Sequence, residues 1–220
     1  MLADFWGKGG LQQAAISGEW VIQNAANSGV GRAVIQMAKI WNMKTINIVR
    51  GNRSLEEMTE LRNNLRELGA NEVITDEELS SKEIKEKIKH LTQGRGIGLG
   101  LNCVGGRAAT DMARNLRHSG TMITYGAMAR QPVAIPASLF IFNNISLRGF
   151  WVSEWAKGKD AEKEKMLEEI FGWMRKGWVK DVPMEEIEWT EKAKEEELVG
   201  AVLKAGEGTG AKKIFVFKET

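Results

Sequence analysis

The sequence predicts an α/β fold, a doubly wound parallel sheet with helices on both faces. Three observations carry this reading. Short apolar runs alternate with longer stretches of helical period, the runs are apolar at successive positions, and the first run ends in a loop almost bare of side chains that enters a helix. Strands that are apolar throughout are buried on both faces, and parallel neighbours need a covering helix between them. Such crossovers are right-handed.

The elements follow in order. "WVIQN" (20–24) is the first strand, and Val30, Ala33, Val34, Met37 and Ala38 then recur at helical spacing. "TINIVR" (45–50) is the second strand. Met58, Leu61, Leu65 and Leu68 form a helix stripe that Gly69 stops as a C-terminal cap. "EVIT" (72–75) is the third strand, and Ile84, Ile88 and Leu91 mark a helix with lysines on its wet face. "GLGLNCV" (98–104) is the fourth strand. Ala109, Met112, Ala113 and Leu116 give a helix closed by Gly120, and "TMITYG" (121–126) and "ISLRGF" (145–150) complete six strands. Beyond Phe150 the texture changes. Met166, Leu167, Ile170, Phe171 and Met174 stripe a long amphipathic helix, a charged helix is expected over about 185–203, and "KKIFVF" (212–217) ends as a strand.

The totals exclude several classes. With 220 residues and a net charge of +2, the composition gives no general case for nucleic acid or an anionic membrane as a partner. The single cysteine, Cys103, rules out an internal disulfide and a cysteine-rich zinc site, and no apolar run is long enough to span a bilayer. The first residues, "MLADFWGKGG", match neither a transit peptide nor a secretory signal, which leaves the cytoplasm as a candidate location.

The bare loop is the first candidate site. Asn27, Ser28, Gly29, Val30 and Gly31 join the first strand to its helix. In a Rossmann-type sheet this turn presents backbone N–H groups and a helix N-terminus to a dinucleotide diphosphate. Small residues allow the close approach that Gly29 would make, and Gly31 would let the helix pack on the sheet. The spacing is not a strict G-x-G-x-x-G and serves an ordinary tight strand–helix turn equally well. The end of the second strand separates the two. A ribose-reading residue belongs about 20 residues beyond the glycines, and that position holds Arg50, followed by Arg53. A carboxylate there would accept from a 2′-hydroxyl. An arginine instead pairs with a 2′-phosphate through a charge-assisted bond of about 1.5–3 kcal/mol, with Arg53 as the candidate for a second such contact, which points to NADPH.

Several segments together resemble one family. "VIQNAANSGVGRAVIQMAK", "TINIVR", "LGANEVIT", "LNCVGG", "GTMITYGAMARQPV" and "LRGFWVSEW" look like the cofactor-binding half of mitochondrial trans-2-enoyl-CoA reductases, members of the medium-chain dehydrogenase/reductase superfamily. The resemblance implies NADPH-dependent reduction of 2-enoyl thioesters in mitochondrial fatty acid synthesis, with hydride to the β-carbon and a proton to the α-carbon. It implies a coenzyme A or acyl carrier protein thioester as substrate, a mitochondrial location and a homodimer built through the dinucleotide domain, with the sixth strands adjoining. By the same resemblance Asn27, Ser28, Gly29 and Val30 cradle the diphosphate and Arg50 takes the 2′-phosphate. Tyr125, Gly126, Ala127 and Met128 match a Tyr-Gly-Gly-Met segment beside the nicotinamide, with Ala127 in place of a glycine. Phe150, Trp151 and Val152 match a segment near the cofactor and acyl pocket. Lys212 matches a cofactor-contacting lysine, with Lys213 one residue away.

The resemblance divides the chain into 1–18, which does not match, a dinucleotide-binding domain over 19–155, and C-terminal helices with a final strand over 156–220, the long helix packing on the sheet. The family's proposed catalytic tyrosine lies in an N-terminal β-rich domain, and Tyr125, the single tyrosine, stands on the fifth strand. No catalytic and no metal-binding residue is therefore assigned. The expectation is a shortened form that binds NADPH with little activity alone, whose final strand lacks a partner sheet and is prone to association. Two alternatives stand beside it: a non-catalytic NADPH-binding module that pairs with a full-length subunit, and an NADPH:quinone reductase. His90 and His118 are read as helix-end residues and Cys103 as a small core residue.

Overall fold

The computed structural model describes residues 18–190, 194–206 and 212–217. The chain forms two compact units, Met1–Val179 and Lys180–Thr220. The sequence-based division at 155/156 and this one assign the long helix to different parts of the chain.

In the first unit, strands β1 (Trp20–Gln23), β2 (Lys44–Val49), β3 (Glu72–Thr75), β4 (Ile97–Asn102), β5 (Leu116–Thr124) and β6 (Ser146–Gly149) form one sheet of order β3-β2-β1-β4-β5-β6. Every pairing is parallel. Helices α1 (Gly29–Ile40), α2 (Leu55–Leu68), α3 (Lys82–Leu91) and α4 (Gly106–Ala113) are the crossovers, and a 3₁₀ turn at Glu78–Ser80 precedes α3. Two short helices, α5 (Ala137–Ile141) and α6 (Val152–Ala156), flank β6, and α7 (Asp160–Arg175) follows.

Alternate strand residues feed the two faces, as period-two geometry requires. Ile22, Ile46, Ile48 and Ile74 pack with Ile88 of α3 and Met112 of α4. Val21, Leu99, Leu101 and Ile123 pack against Val34 and Ala38 of α1, and Val49 and Val73 meet Met58, Leu61 and Leu65 of α2. Helix α2 opens on a capping box between Ser54 and Glu57 and closes at Gly69, whose φ is 116°. In α1 the buried face is Gly31, Arg32, Val34, Ile35, Gln36 and Ala38, whereas Val30 of the predicted stripe is exposed. Trp173 of α7 is buried edge-on to Trp41 at 5.7 Å, while Met166, Leu167 and Phe171 are exposed.

Five expectations are corrected. Helix α4 ends at Ala113, and Leu116 already begins β5. Gly120 is no helix cap: Ile97 pairs with Leu116 and Leu99 with Thr121, so Gly120 lies in the extra stretch of a register shift. A Cβ there would come within 2.9 Å of the Arg117 carbonyl oxygen. His118 consequently sits in β5, its Nδ1 3.0 Å from the Ser119 hydroxyl, whereas His90 does lie in the last turn of α3.

The other two concern the second unit. Strands β7 (Met184–Trp189) and β8 (Lys212–Phe217) pair in parallel and are joined through α8 (Glu195–Gly206). The "MEEIEW" stretch is thus a strand, not the start of a charged helix. Its glutamates favour helix locally, but pairing along all of β8 overrides propensity. The final strand therefore has a partner within its own unit. Trp189 rings lie 5.4 Å from both Phe215 and Phe217.

Candidate functional site

The strand order reverses between β1 and β4. From β1 the chain builds outward to β2 and β3, and from β4 to β5 and β6. At such a switch point the loops leaving the strand C-termini diverge and open a crevice. The candidate residues of the first unit lie beyond those ends: 27–31 after β1, Arg50 and Arg53 after β2, 125–128 after β5 and 150–152 after β6.

A buried amide network builds the floor. Asn24 and Asn102 are at most 1% exposed. Asn24 Nδ2 donates to Asn102 Oδ1 at 2.8 Å, and Asn24 Oδ1 accepts from the Cys103 N–H at 2.8 Å. Asn102 Oδ1 also accepts from the Val104 and Gly105 N–H groups, while its Nδ2 donates to Thr124 Oγ1 at 3.1 Å. Gln23 Nε2 donates to the Gly31 carbonyl and to Asn47 Oδ1. Buried polar groups of this kind are mostly paired; here the pairing ties the end of β1 to the loop after β4 and to the end of β5, while Gln23 Oε1 has no partner among the described residues. Sequence reasoning missed the network. Its signal is an amide residue at the end of an otherwise apolar strand, in "WVIQN" and again in "GLGLN".

The β1–α1 loop rests on this floor. Ala25 adopts φ 50°, and its carbonyl accepts from the Ser28 N–H. Ser28 is the N-cap, its hydroxyl accepting from the Gly31 N–H at 3.1 Å. The next orphan donors of the helix, the N–H groups of Gly29 and Val30, belong to exposed residues. A Cβ on Gly31 would lie 2.6 Å from the Ala26 carbonyl oxygen and 2.7 Å from that of Ala25, so only glycine brings the helix this close. Asn27 is exposed, yet its Oδ1 accepts from Arg32 Nη1 at 2.9 Å.

At the end of β2, Arg50 is exposed and has no ion pair among the described residues. Arg53 closes the turn, its Nη1 donating to the Arg50 carbonyl at 2.6 Å, and Asp76 Oδ1 accepts from the Gly51 N–H at 2.9 Å. Beyond β5 the segment 125–129 zips onto the end of β4: Met128 N–H donates to the Cys103 carbonyl and Ala129 N–H to that of Val104, both at 2.9 Å. Gly126 lies against Cys103, where a Cβ would approach that side chain to 3.1 Å. Ala127 and Met128 are exposed at the crevice end. Tyr125 turns inward onto the core beside α1, and its hydroxyl has no hydrogen-bond acceptor among the described residues. Burial first, and the neighbouring Cys103 thiol second, push its phenol well above the ordinary range. Burial likewise pushes the Cys103 thiol up, against a smaller opposing effect of Tyr125.

Beyond β6, Phe150 is tied back by its N–H to the Thr124 carbonyl and stacks obliquely on Trp155 at 6.3 Å. Trp151 and Val152 are 67% and 60% exposed. Thr124, Gly149, Phe150, Trp151, Glu154 and Trp155 line an open pocket of about 530 Å³. Lys212 belongs to the second unit, exposed at the start of β8, whereas Lys213 is committed to an ion pair with Glu185.

The sequence profile of the family described as zinc-binding dehydrogenase matches residues 29–171. The chain belongs to that family. Within it, the chain is 42% identical over 202 residues to the mitochondrial enoyl-[acyl-carrier-protein] reductase of Schizosaccharomyces pombe, covering 91% of this chain and 53% of that protein. It is 47% identical over 150 residues to the human enzyme of the same name, covering 68% and 39%. Thus the chain spans about half, or less, of the length of these relatives and corresponds to their cofactor-binding half. A solved complex of Etr1p with NADP and crotonyl-CoA superposes with a TM-score of 0.81 at 35% identity, over 90% of this chain and 54% of that one. The mitochondrial 2-enoyl thioester reductase heterodimer from Candida tropicalis gives 0.79 at 34%, over 91% and 57%.

The family's name raises the question of zinc. Among the described residues no three His, Cys, Asp or Glu side chains converge as ligands. Cys103, the one thiol, is buried and beside Asn24 and Met128. A zinc site needs several such donors together, so no zinc chemistry is assigned to these residues. Among the described residues, too, no helix is long and apolar enough to cross a membrane.

Proposed function

We propose that this chain carries the NADPH site of an enoyl thioester reductase. The observation that carries the reading is the β1–β4 crevice. Among the described residues its loop leaves two helix N–H groups unclaimed beside a glycine that tolerates no Cβ, and Arg50, with no ion pair among them, stands at the adjacent strand end. These residues fit a dinucleotide with an extra phosphate: Asn27, Ser28, Gly29, Val30 and Gly31 hold the diphosphate, and Arg50 takes the 2′-phosphate, with Arg53 holding its turn. Gly126, Ala127 and Met128, with the backbone of Tyr125, line the nicotinamide end. Phe150, Trp151 and Val152 supply the apolar wall toward an acyl chain.

When bound, NADPH supplies the hydride that reduces the double bond of a 2-enoyl thioester. The aromatic pocket's role is to exclude water and hold the acyl chain in near-attack geometry. Likeness to the enoyl reductases at 42–48% identity favours this substrate over a quinone. The quinone reductase from Bacillus thuringiensis is 21% identical and supports the fold alone. The reading includes a mitochondrial location, after the relatives, and pairing of two copies. The β6 edge supports the pairing: it is the last strand of the sheet and all four of its residues are exposed, and an open strand edge invites a second strand.

The test is fluorescence titration of the chain with NADPH and NADH, repeated for Arg50→Ala. The variant is expected to lose about 10- to 100-fold in NADPH affinity and little in NADH affinity. Equal loss for both cofactors rejects the assignment of Arg50. Oxidation of NADPH by the whole protein with crotonyl-CoA, against a benzoquinone control, tests the substrate class.

A further inference from the structure

Arg32 is the feature that the reading above leaves unexplained. It sits in the first turn of α1 and is only 9% exposed. Its Nη1 donates to Asn27 Oδ1, its own N–H to the Ser28 carbonyl, and its carbonyl accepts from Gln36 Nε2 at 3.2 Å. Its Nε is buried without an acceptor, and no carboxylate pairs with the guanidinium among the described residues. Burial pushes the guanidinium pKa down from its ordinary value. A buried cation without a counter-charge is costly, and structures keep one where something supplies the anion. Helical side chains lean toward the N-terminus, and the bond to Asn27 carries this guanidinium back over the loop where the helix donors converge.

We propose that Arg32 is the cation that binds the dinucleotide diphosphate, with Asn27 aiming it and the ligand supplying the missing counter-charge. This inference rests on the crevice being a dinucleotide site. It adds a specific charge to a cradle otherwise made of backbone, so that diphosphate recognition and 2′-phosphate recognition reside in different arginines, Arg32 and Arg50. It also predicts that the free protein carries an electrostatic penalty at this corner that the bound protein does not.

The experiment uses the full 220-residue chain, wild type and Arg32→Met, Arg32→Lys and Asn27→Asp, titrated with NADP and with 2′-AMP, which has the 2′-phosphate but no diphosphate. Arg32→Met is expected to weaken NADP by about tenfold or more, to leave 2′-AMP within about twofold, and not to lower the Tm of the free protein. Arg32→Lys should recover most of the NADP affinity. Asn27→Asp gives Arg32 an internal counter-charge, so it should raise the Tm of the free protein while weakening NADP, and it decides the matter should Arg32→Met not fold. Equal losses for NADP and 2′-AMP, an unchanged NADP affinity in Arg32→Met, or a lowered Tm in Asn27→Asp would each overturn the inference alone. A wild-type chain that takes up neither ligand would overturn it together with the reading on which it rests.

Discussion

The β1–α1 corner and the β5–β6 corner stand at the same end of one sheet, yet they are built differently. At the first, Gln23, Asn24 and Asn102 are buried, and their bonds lock the loops after β1 and β4 into a single arrangement. At the second, β6 is exposed along its length, and Trp151 and Val152 stand largely in solvent. The first corner is held by its own residues, with Gln23 Oε1 and Arg32 Nε left without partners among the described residues. The second offers apolar surface that gains free energy only when something covers it. On the function proposed above, the first corner would be the preorganised end for the constant part of the ligand and the second the open end for the variable part.

The comparison predicts a gradient of mutational cost. Gly31→Val should be the most damaging, at about 3 kcal/mol in a urea melt with loss of NADPH uptake, because the new side chain meets backbone oxygens at 2.6 and 2.7 Å. A near-neutral result would mean that the loop yields, which breaks the contrast. Asn102→Ala should cost about 2 kcal/mol, since it leaves two backbone N–H groups and the Asn24 amide without their acceptor. It should also speed iodoacetamide alkylation of Cys103, whose burial pushes the thiol up and covers it in the wild type. Unchanged alkylation would separate the thiol from the network. Leu147→Lys on β6 should leave the monomer within about 0.5 kcal/mol of wild type but shift sedimentation toward monomer. Trp151→Ala should have the smallest effect on stability, again within about 0.5 kcal/mol, and should appear instead as a raised KM for longer enoyl thioesters in the whole protein. A large loss of stability in either of the last two would show that the open corner is a packed one.

Much of this was readable without coordinates because it is local. Six apolar runs separated by helical stripes translate directly into strands and crossovers, and Ser54, Glu57 and Gly69 announce the ends of α2 in their own chemistry. Gly31 and Arg50 were legible because one small residue and one charge sit where a strand must end. The errors came where pairing partners are distant. Leu116 keeps helical spacing with Met112, but the chain has already turned to meet Ile97. The glutamates of "MEEIEW" read as helix until β8 lies beside them.

By itself, then, the amino-acid order determined the alternating architecture, the bare loop and the arginine at the second strand end, since periodicity and turn chemistry act over a few neighbouring residues. Only the tertiary structure decided that the strand-end amides of Asn24 and Asn102 would bond to each other, that Tyr125 would turn inward while Trp151 faces out, and that Arg32 would be buried without a counter-charge among the described residues. Those outcomes depend on burial and on contacts between residues as far apart as Asn24 and Asn102, where the free energy of a side chain is set by what folding brings next to it.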